Sequence, residues 1–321
     1  MKKSKPSLGS INPEDVLKNA PKNIKDYILL LEEQIEHLSD IGIALSKEKD
    51  MQLLLEMILE EAKRITNCDG RTLYMMSGED KLKFEIVRTD SLKFHMGGTS
   101  GEEVPFYPVK LYTEEGKPNH GMIAAYAGLT GEAINIPDAY KADGFDFSGT
   151  KMFDEKTGYR SKSFLTVPLT NHLDEIIGVI QLLNAQNPQT GEVIPFSEEA
   201  QKLVESLCSQ AAVAITNKQL IEQLEELFEA FIKLIATAID KKSPYTGGHC
   251  TRVPVLTMML ADAVEDVNYG PYKNFSMTDE QRYELYIAGW LHDCGKVATP
   301  THVVDKGTKL ETIFDLSLIH I

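Results

Sequence analysis

Two histidines and one aspartate near the end of the sequence have the types and spacing of a divalent-metal site. His292 and Asp293 are adjacent, and His249 stands at the start of an earlier, partly apolar stretch. Imidazole nitrogens and carboxylate oxygens bind hard and borderline divalent ions. A carboxylate that bridges two such ions holds them about 3.5–4 Å apart. The three residues therefore predict a metal centre in which Asp293 is the bridging ligand.

Two basic residues lie close to the predicted ligands in sequence. Arg252 is one helical turn after His249, and its guanidinium could hold a phosphate oxygen pair through two parallel hydrogen bonds. Lys296 follows Asp293 and could neutralise negative charge on a group bound at the predicted metal centre. Arg252, Asp293 and Lys296 are therefore the predicted catalytic residues.

Helices are expected to position the ligands. Residues 278–281 read TDEQ, the pattern of a capping box, and apolar residues then recur at helical spacing until Gly295. His292 and Asp293 should thus end one helix, and His249 should lie in the first turn of an earlier one. The apolar face of that earlier helix is expected to consist of Val253, Leu256, Met259, Leu260 and Ala263.

The segment around these residues resembles the HD superfamily of metal-dependent phosphohydrolases, and more closely its HD-GYP branch of bacterial cyclic di-GMP phosphodiesterases. The matching words are DKKSPYTGGH at 240–249, HDCGK at 292–296 and DKG at 305–307. The resemblance implies a cyclic dinucleotide substrate, hydrolysed to pGpG or GMP with the help of two divalent ions, Fe or Mn. Members with three metals carry a glutamate where this chain has Tyr245, so two ions are expected.

Such enzymes carry further metal-binding histidines, a Gly-Tyr-Pro signature and a last aspartate, and the sequence ends at Ile321 before these features. The all-α HD-type domain, predicted over residues 241–321, is therefore expected to be incomplete. The chain by itself should bind metal weakly and hydrolyse little. His320 is a further candidate ligand, although the residues around it do not match the family.

Two other functions are compatible with the same residues. The chain could be a non-catalytic dimeric sensor whose C-terminal region only binds a partner or a nucleotide, or a hydrolase of another nucleotide. A decayed site would be expected to lose His249 or Asp293, and both are retained. The sequence therefore favours the enzyme.

Composition narrows the partners and the compartment. The formal net charge of −15 argues against binding to DNA or to anionic membranes, because such surfaces attract Lys and Arg. The four cysteines are scattered without Cys-x-x-Cys spacing, which fits a reducing cytosol. The sequence contains no run of apolar residues long enough for a membrane span. We therefore expect a cytoplasmic protein with no membrane insertion.

The first two thirds of the chain have the element order of an α+β domain. Residues 1–20 are predicted to be a flexible arm and 21–48 a helix with a narrow apolar seam. Within 49–218, a wide-faced helix precedes a hairpin of strands at 71–76 and 82–88, an irregular stretch, a short helix, a loop and two more apolar strands. This order predicts an antiparallel sheet with flanking helices.

The words GEAINIPD at 131–138, VPL at 167–169, IGVIQLLN at 177–184 and FSEE at 196–199 resemble those of GAF domains. The resemblance implies a sensor of a small molecule, with Tyr74, Tyr126, Phe145 and Phe164 as candidate pocket residues that could equally belong to the core. Members that bind cyclic nucleotides carry Lys after the Asn184 position, where this chain has Ala185. That departure argues against a cyclic nucleotide as the ligand.

A long helix is predicted to connect the two domains. Its second part, 219–240, carries apolar residues at alternating spacings of four and three, flanked by Glu and Lys, as in a coiled coil. The pattern predicts a parallel homodimer in which this helix transmits small rotations from the sensor to the catalytic half. A helix packed on one domain alone is the other interpretation. The residues of the seam are Leu220, Leu224, Leu227, Phe231, Leu234 and Ala238.

Overall fold

A computed structural model describes residues 21–78, 80–242 and 248–304 of the chain. The predicted arm at 1–20, the position of Tyr245 and the candidate ligand His320 lie outside the described residues. The chain divides into two units, Met1–Gln219 and Leu220–Ile321, and the division falls within one long helix. Within the described ranges, none of the helices combines the length and the apolar character that crossing a bilayer requires.

Two helices open the first unit, α1 (Lys22–Lys47) and α2 (Met51–Thr66). Asp50 caps α2, because its side chain accepts a hydrogen bond from the Leu53 amide at 3.0 Å. Asn67 ends the helix in the left-handed conformation, with φ of 49°. The predicted apolar face of α2 is confirmed in part, since Leu54 and Ile58 are buried whereas Leu53 is exposed.

The first unit is built on an antiparallel sheet, as predicted. In spatial order its main strands are β3, β2, β1, β7, β6 and β5, with β4 paired to β2 and β8 paired to β7. The predicted hairpin is formed by β1 and β2. The strand bounds are Cys68–Ser77 (β1), Lys81–Thr89 (β2), Phe94–Gly97 (β3), Val109–Lys110 (β4), Ile134–Ile136 (β5), Phe164–Thr170 (β6), Ile176–Gln186 (β7) and Val193–Ile194 (β8).

Helices cover both faces of the sheet. On one face, α1, α2 and the first part of α5 (Glu198–Lys242) share one core cluster with the sheet, in which Ile58, Ile180 and Leu207 are fully buried. On the other face, α3 (Ile123–Thr130) packs its alanines against the middle strands. Gly178 is required in β7, because an added Cβ would lie 2.4 Å from the Tyr74 carbonyl oxygen.

The stretch expected to be a loop after β5 contains a helix, α4 (Ser148–Thr157). Gly158 ends it in the left-handed conformation, with φ of 70°. The helix has a weak amphipathic pattern and few strong helix formers, so its sequence reads as a loop. Its buried residue, Asp154, accepts hydrogen bonds from Tyr140 and Ser161, which lie outside the helix, so local sequence does not reveal these contacts.

The second unit contains the rest of α5, then α6 (His249–Glu265), α7 (Asp279–Leu291), a 3₁₀ turn at Cys294–Val297 and α8 (Thr301–Val304). The predicted capping box is present, since the Thr278 side chain accepts from the Gln281 amide while the Gln281 side chain accepts from the Thr278 amide. The helix α7 ends at Leu291, immediately before the predicted ligand pair.

The predicted apolar face of α6 is wrong. Leu256, Met259 and Leu260 are exposed, and the buried residues of the helix are Cys250, Pro254 and Ala261. The reason is that α6 and α7 approach each other closely through small residues: an added Cβ at Gly289 of α7 would lie 3.0 Å from the Cα of Pro254. Helices packed this tightly contact each other through their smallest side chains rather than their largest.

Candidate functional site

The structure brings His249, His292 and Asp293 together in the second unit. One potential ligand atom from each lies within 4.8 Å of the others. The Nε2 atoms of the two histidines are 3.1 Å apart. Asp293 Oδ2 is 3.1 Å from His292 Nε2 and 3.5 Å from His249 Nε2. Residues from two helices thus converge on one point.

Helix ends position these side chains. Gly248 adopts the left-handed conformation (φ of 74°) immediately before α6, which makes His249 the first residue of that helix. His292 is the C-cap residue of α7, and Asp293 follows it. His292 Nδ1 donates a hydrogen bond to the Gly289 carbonyl at 2.7 Å. Because that carbonyl can only accept, the hydrogen is on Nδ1 and the lone pair of Nε2 faces the cluster.

Asp293 is held in its ionised form. Partial burial alone would raise the pKa of its carboxyl, but the hydrogen bond from Lys296 and the positive charge of that lysine lower it. Lys296 Nζ donates to Asp293 Oδ2 at 2.7 Å. Two of the predicted catalytic residues are therefore in direct contact.

Arg252, the third predicted catalytic residue, is exposed on α6 and lies beside the start of that helix. A Cβ added at Gly248 would be 3.2 Å from Arg252 Nη1, so the guanidinium folds back next to His249. Arg252 on α6 and Lys296 on the 3₁₀ turn after α7 therefore place positive charge near the cluster.

Sequence reasoning did not assign a role to Asp240 in the last turns of α5. Its Oδ1 accepts a hydrogen bond from the Cys250 amide at 3.3 Å, and so caps the N-terminus of α6 next to His249. An aspartate nine residues before the first residue of a helix is outside the usual capping window, so the sequence alone does not indicate this contact. Ile239 and Trp290 pack in the same small apolar cluster.

The first unit contains a cavity of about 500 Å³ between the sheet and the segment that includes α4. That volume is in the range of small-molecule pockets. Most of its lining is aromatic or aliphatic, and the polar groups include Thr72, Thr89, Ser161 and Gln181. The aromatic lining residues are Tyr74, Phe84, Phe94, Phe106, Phe147, Phe153, Tyr159 and Phe164.

Two buried carboxylates fasten the segment around α4 to the rest of the domain. Asp69 accepts hydrogen bonds from the Tyr159 hydroxyl at 2.6 Å and from the Ser91 hydroxyl at 2.6 Å. Asp154 accepts from Tyr140 and Ser161. Burial raises the pKa of the Tyr159 hydroxyl, and its bond to Asp69 raises the pKa further, so Tyr159 stays a donor.

Of the four aromatic residues proposed from the sequence, Tyr74 and Phe164 line the cavity. Tyr126 and Phe145 instead pack edge to face, with ring centroids 5.6 Å apart, and are not among the lining residues. The remaining lining aromatics were missed because several lie on α4 or on the irregular stretch before α3, where no periodic pattern indicates which side chains point inward.

The protein-family model for the GAF domain matches residues 50–215. Among curated proteins, the chain is 29% identical over 229 residues to dual 3',5'-cyclic-AMP and -GMP phosphodiesterase 11A of Takifugu rubripes, which covers 68% of this chain and 23% of that protein. It is 26% identical over 214 residues to dual 3',5'-cyclic-AMP and -GMP phosphodiesterase 11 of Drosophila melanogaster, covering 66% of this chain and 13% of that protein.

Among solved structures, the chain is similar to the GAF domain of a phosphoenolpyruvate-protein phosphotransferase from Acinetobacter, with 17% identity and a TM-score of 0.43 over 60% of this chain and 98% of that one. The match to the curated relatives rests on the GAF region and spans less than a quarter of their length. The family model covers more than half of the chain, together with the sheet and helices described above. The chain belongs to the GAF-domain family.

Proposed function

We propose that this chain is a cytoplasmic signalling protein in which a GAF domain senses a small molecule and regulates a metal-dependent phosphodiesterase, with cyclic di-GMP as substrate. The observation that carries the proposal is the convergence of His249, His292 and Asp293 within 4.8 Å. The relatives named as cyclic-nucleotide phosphodiesterases support a signalling role, because the likeness to them rests on the GAF region.

The donor set suits a divalent ion. Two imidazole Nε2 atoms and a carboxylate oxygen face one point, and the hydrogen bond from His292 Nδ1 to Gly289 orients that ring as metal-binding histidines are usually oriented. Bound Mn or Fe would polarise a phosphodiester and lower the pKa of the attacking water. The described residues supply three ligands, fewer than a closed site for two ions needs, so binding by this chain is expected to be weak.

The basic residues have distinct tasks in this proposal. Lys296 orients the Asp293 carboxylate through the 2.7 Å hydrogen bond and lowers its pKa, which keeps it ionised for metal binding. The exposed guanidinium of Arg252 would bind the phosphate of the substrate. A chain with a net charge of −15 needs such local positive charge to hold an anionic dinucleotide.

The test is hydrolysis of cyclic di-GMP by the full chain in the presence of Mn²⁺, followed by chromatographic detection of pGpG. We expect slow, metal-dependent turnover that is abolished in His292→Ala and Asp293→Ala. His302→Ala is the matched control, because His302 is an exposed histidine on α8. Turnover that is the same in all four proteins would show that the cluster is not the active site.

A non-catalytic role is the second candidate, because the described residues supply only three ligands. Metal binding that depends on the cluster, without hydrolysis of any cyclic dinucleotide or nucleotide, would favour a sensor that binds a partner or a nucleotide. Hydrolysis of a different nucleotide under the same conditions would support the metal centre and show that the substrate is not cyclic di-GMP.

The proposal includes a parallel homodimer. The seam residues Leu220, Leu224, Leu227, Phe231 and Leu234 of α5 are between 52% and 67% exposed in the single chain. They repeat at heptad spacing, which a second copy of the same helix matches residue for residue in a parallel coiled coil. A second copy is therefore the partner that this face fits, and the coiled coil would carry the signal along α5.

A further inference from the structure

The charge of the cavity in the first unit bears on the chemistry of its ligand. Among the described residues, the cavity lining includes one carboxylate, Asp146, and no Lys, Arg or His. An ionised group that leaves water without a charged or hydrogen-bonding partner loses roughly several kcal/mol of solvation. The described lining therefore has no positively charged side chain that could pair with an anionic ligand.

The N-terminus of α4 is the one feature of the cavity that usually attracts anions. Ser148, Gly149 and Thr150 form its first turn and line the cavity. The carboxylate of Asp146 is already there, since its Oδ1 accepts a hydrogen bond from the Ser148 amide at 2.8 Å. Hydrogen bonds from Ser148 lower the pKa of Asp146, so this carboxyl is ionised at neutral pH.

Asp146 also lies where a ligand enters. The exposed lining residues, which lie at the mouth of the cavity, are Phe106, Met122, Asp146, Ser148 and Gly149, whereas Tyr74 and Phe164 are buried at its interior. An incoming anion would meet a negative charge at the mouth and aromatic rings beyond it. A neutral molecule would meet neither penalty.

The interior polar groups are uncharged as well. Burial raises the pKa of the Tyr74 hydroxyl, which donates to Gln181 Oε1 at 3.2 Å. The Gln181 amide nitrogen carries two hydrogens, and one is donated to the Thr166 hydroxyl at 3.3 Å. This arrangement suits a ligand with a hydrogen-bonding edge on an otherwise apolar ring system.

We propose that the GAF cavity binds an uncharged, mainly aromatic compound of two or three rings and discriminates against anions, including cyclic nucleotides. The inference rests on the proposed sensor function and specifies the ligand class of that cavity. The proposed ligand is thus not a cyclic nucleotide, the class of compound to which the names of the relatives refer. The reason is the presence of Asp146 and the absence of basic side chains among the described lining residues.

Two fluorescent probes of nearly equal shape test the proposal on the full chain. N-phenyl-1-naphthylamine is neutral, and 1-anilinonaphthalene-8-sulfonate is the same ring system with one sulfonate. We expect the neutral probe to bind at least tenfold more tightly than the anionic one. Cyclic GMP should displace the neutral probe no better than salt of equal ionic strength.

Variants test whether the probes bind in the cavity and whether Asp146 causes the preference for the neutral probe. Asp146→Asn should tighten binding of the anionic probe severalfold and leave the neutral probe unchanged, whereas Asp143→Asn, at an exposed aspartate that is not a lining residue, should change neither. Val87→Phe adds bulk inside the cavity and should weaken the neutral probe at least tenfold. Val213→Phe, at an exposed position outside the lining, is its control.

If Val87→Phe fails to fold, Met122→Trp replaces it, because Met122 is at the exposed mouth and tolerates a larger side chain. Binding of the neutral probe that neither variant weakens would place the probe outside the cavity and overturn both the sensor role and this inference. Equal or tighter binding of the anionic probe, lost in the occluding variants, would overturn the ligand class alone and leave the sensor role intact.

Discussion

The close approach of α6 and α7 at Gly289 makes a specific prediction for metal binding. A Cβ at this position would lie 3.0 Å from Pro254 Cα and 3.4 Å from Pro254 Cβ. Because carbon atoms in contact sit about 3.5–4.0 Å apart, the helices must move apart by a few tenths of an ångström in Gly289→Ala. His249 starts one helix and His292 ends the other, so this separation moves the two imidazoles apart.

Two energies compete in the variant. Overpacking costs about 1–3 kcal/mol, and replacing a helical glycine by alanine contributes about 1 kcal/mol of stability. The net loss of unfolding free energy should therefore be about 0–2 kcal/mol. Metal affinity should fall more steeply, by about tenfold or more, because ligand distances must hold within about 0.2 Å and changes around the ligands typically weaken binding by that factor.

Isothermal titration with Mn²⁺ measures the affinity, and urea unfolding followed by the fluorescence of Trp290, the single tryptophan, measures the stability. Gly295→Ala is the control, since a Cβ there meets no atom within 4 Å although the residue is close to Asp293. Wild-type affinity in Gly289→Ala, or an equal loss in Gly295→Ala, would refute the idea that helix separation sets the ligand geometry.

Three further predictions concern other contacts. Glu56→Ala should lower the unfolding free energy by about 2–4 kcal/mol, because it leaves the 4%-exposed Arg88 without the carboxylate it is paired with. Glu60→Ala should cost about 1 kcal/mol or less, because Glu60 is 59% exposed and its buried partner Arg71 keeps the ion pair with Asp90. Burial alone would raise the pKa of Glu56, but hydrogen bonds from Thr99 and the charge of Arg88 lower it below 4.5. The contribution of ionised Glu56 to the unfolding free energy is therefore fully present above pH 4.5 and is lost as the pH falls through the lowered pKa. Urea unfolding as a function of pH should therefore show a weaker acid dependence in Glu56→Ala. Asp240→Asn should weaken Mn²⁺ binding about tenfold in titrations, because it removes the charge that caps α6 beside the predicted ligand His249. If the chain forms the proposed dimer, Leu227→Glu should convert it to a monomer in light scattering after gel filtration, because the variant places a charge in the seam.

Control variants accompany the predictions for Asp240 and Leu227. Asp266→Asn changes an exposed aspartate at the other end of α6 and should leave Mn²⁺ binding unchanged. Leu173→Glu changes a leucine that is 62% exposed outside the seam and should leave the molecular mass unchanged. Equal losses in Glu56→Ala and Glu60→Ala, or an effect of either matched control as large as that of its partner, would contradict the corresponding argument.

Much of the fold could be predicted because local signals agree with the tertiary structure. The alternation in β1 and β2, the wide apolar face of α2 and the capping box at Thr278 each correspond to elements of the structure. The helix α4 could not be predicted, because its sequence is a poor helix former and its buried Asp154 is held by Tyr140 and Ser161 from outside the helix. The buried face of α6 was assigned wrongly because size was taken as the criterion, whereas Pro254 and Gly289 make the contact.

The candidate sites differ in how far the sequence reveals them. The words around His249 and His292 are short and specific, and the structure places these residues together with Asp293, while their role as ligands stays a prediction. The cavity is assembled from strands, α4 and the irregular stretch, so its lining depends on long-range packing. The charge selection by Asp146 depends on a capping contact two residues along the chain and on which side chains face inward.

The most direct test of the metal centre is a Mn²⁺ titration of the full chain by calorimetry, with His249→Ala, His292→Ala, Asp293→Ala and the control His302→Ala measured under the same conditions. We predict measurable, weak binding by the wild type that is retained in the control and falls by about tenfold or more in each of the three cluster variants. Absence of binding by the wild type, or the same isotherm in all five proteins, would contradict the assignment of the cluster as a metal site.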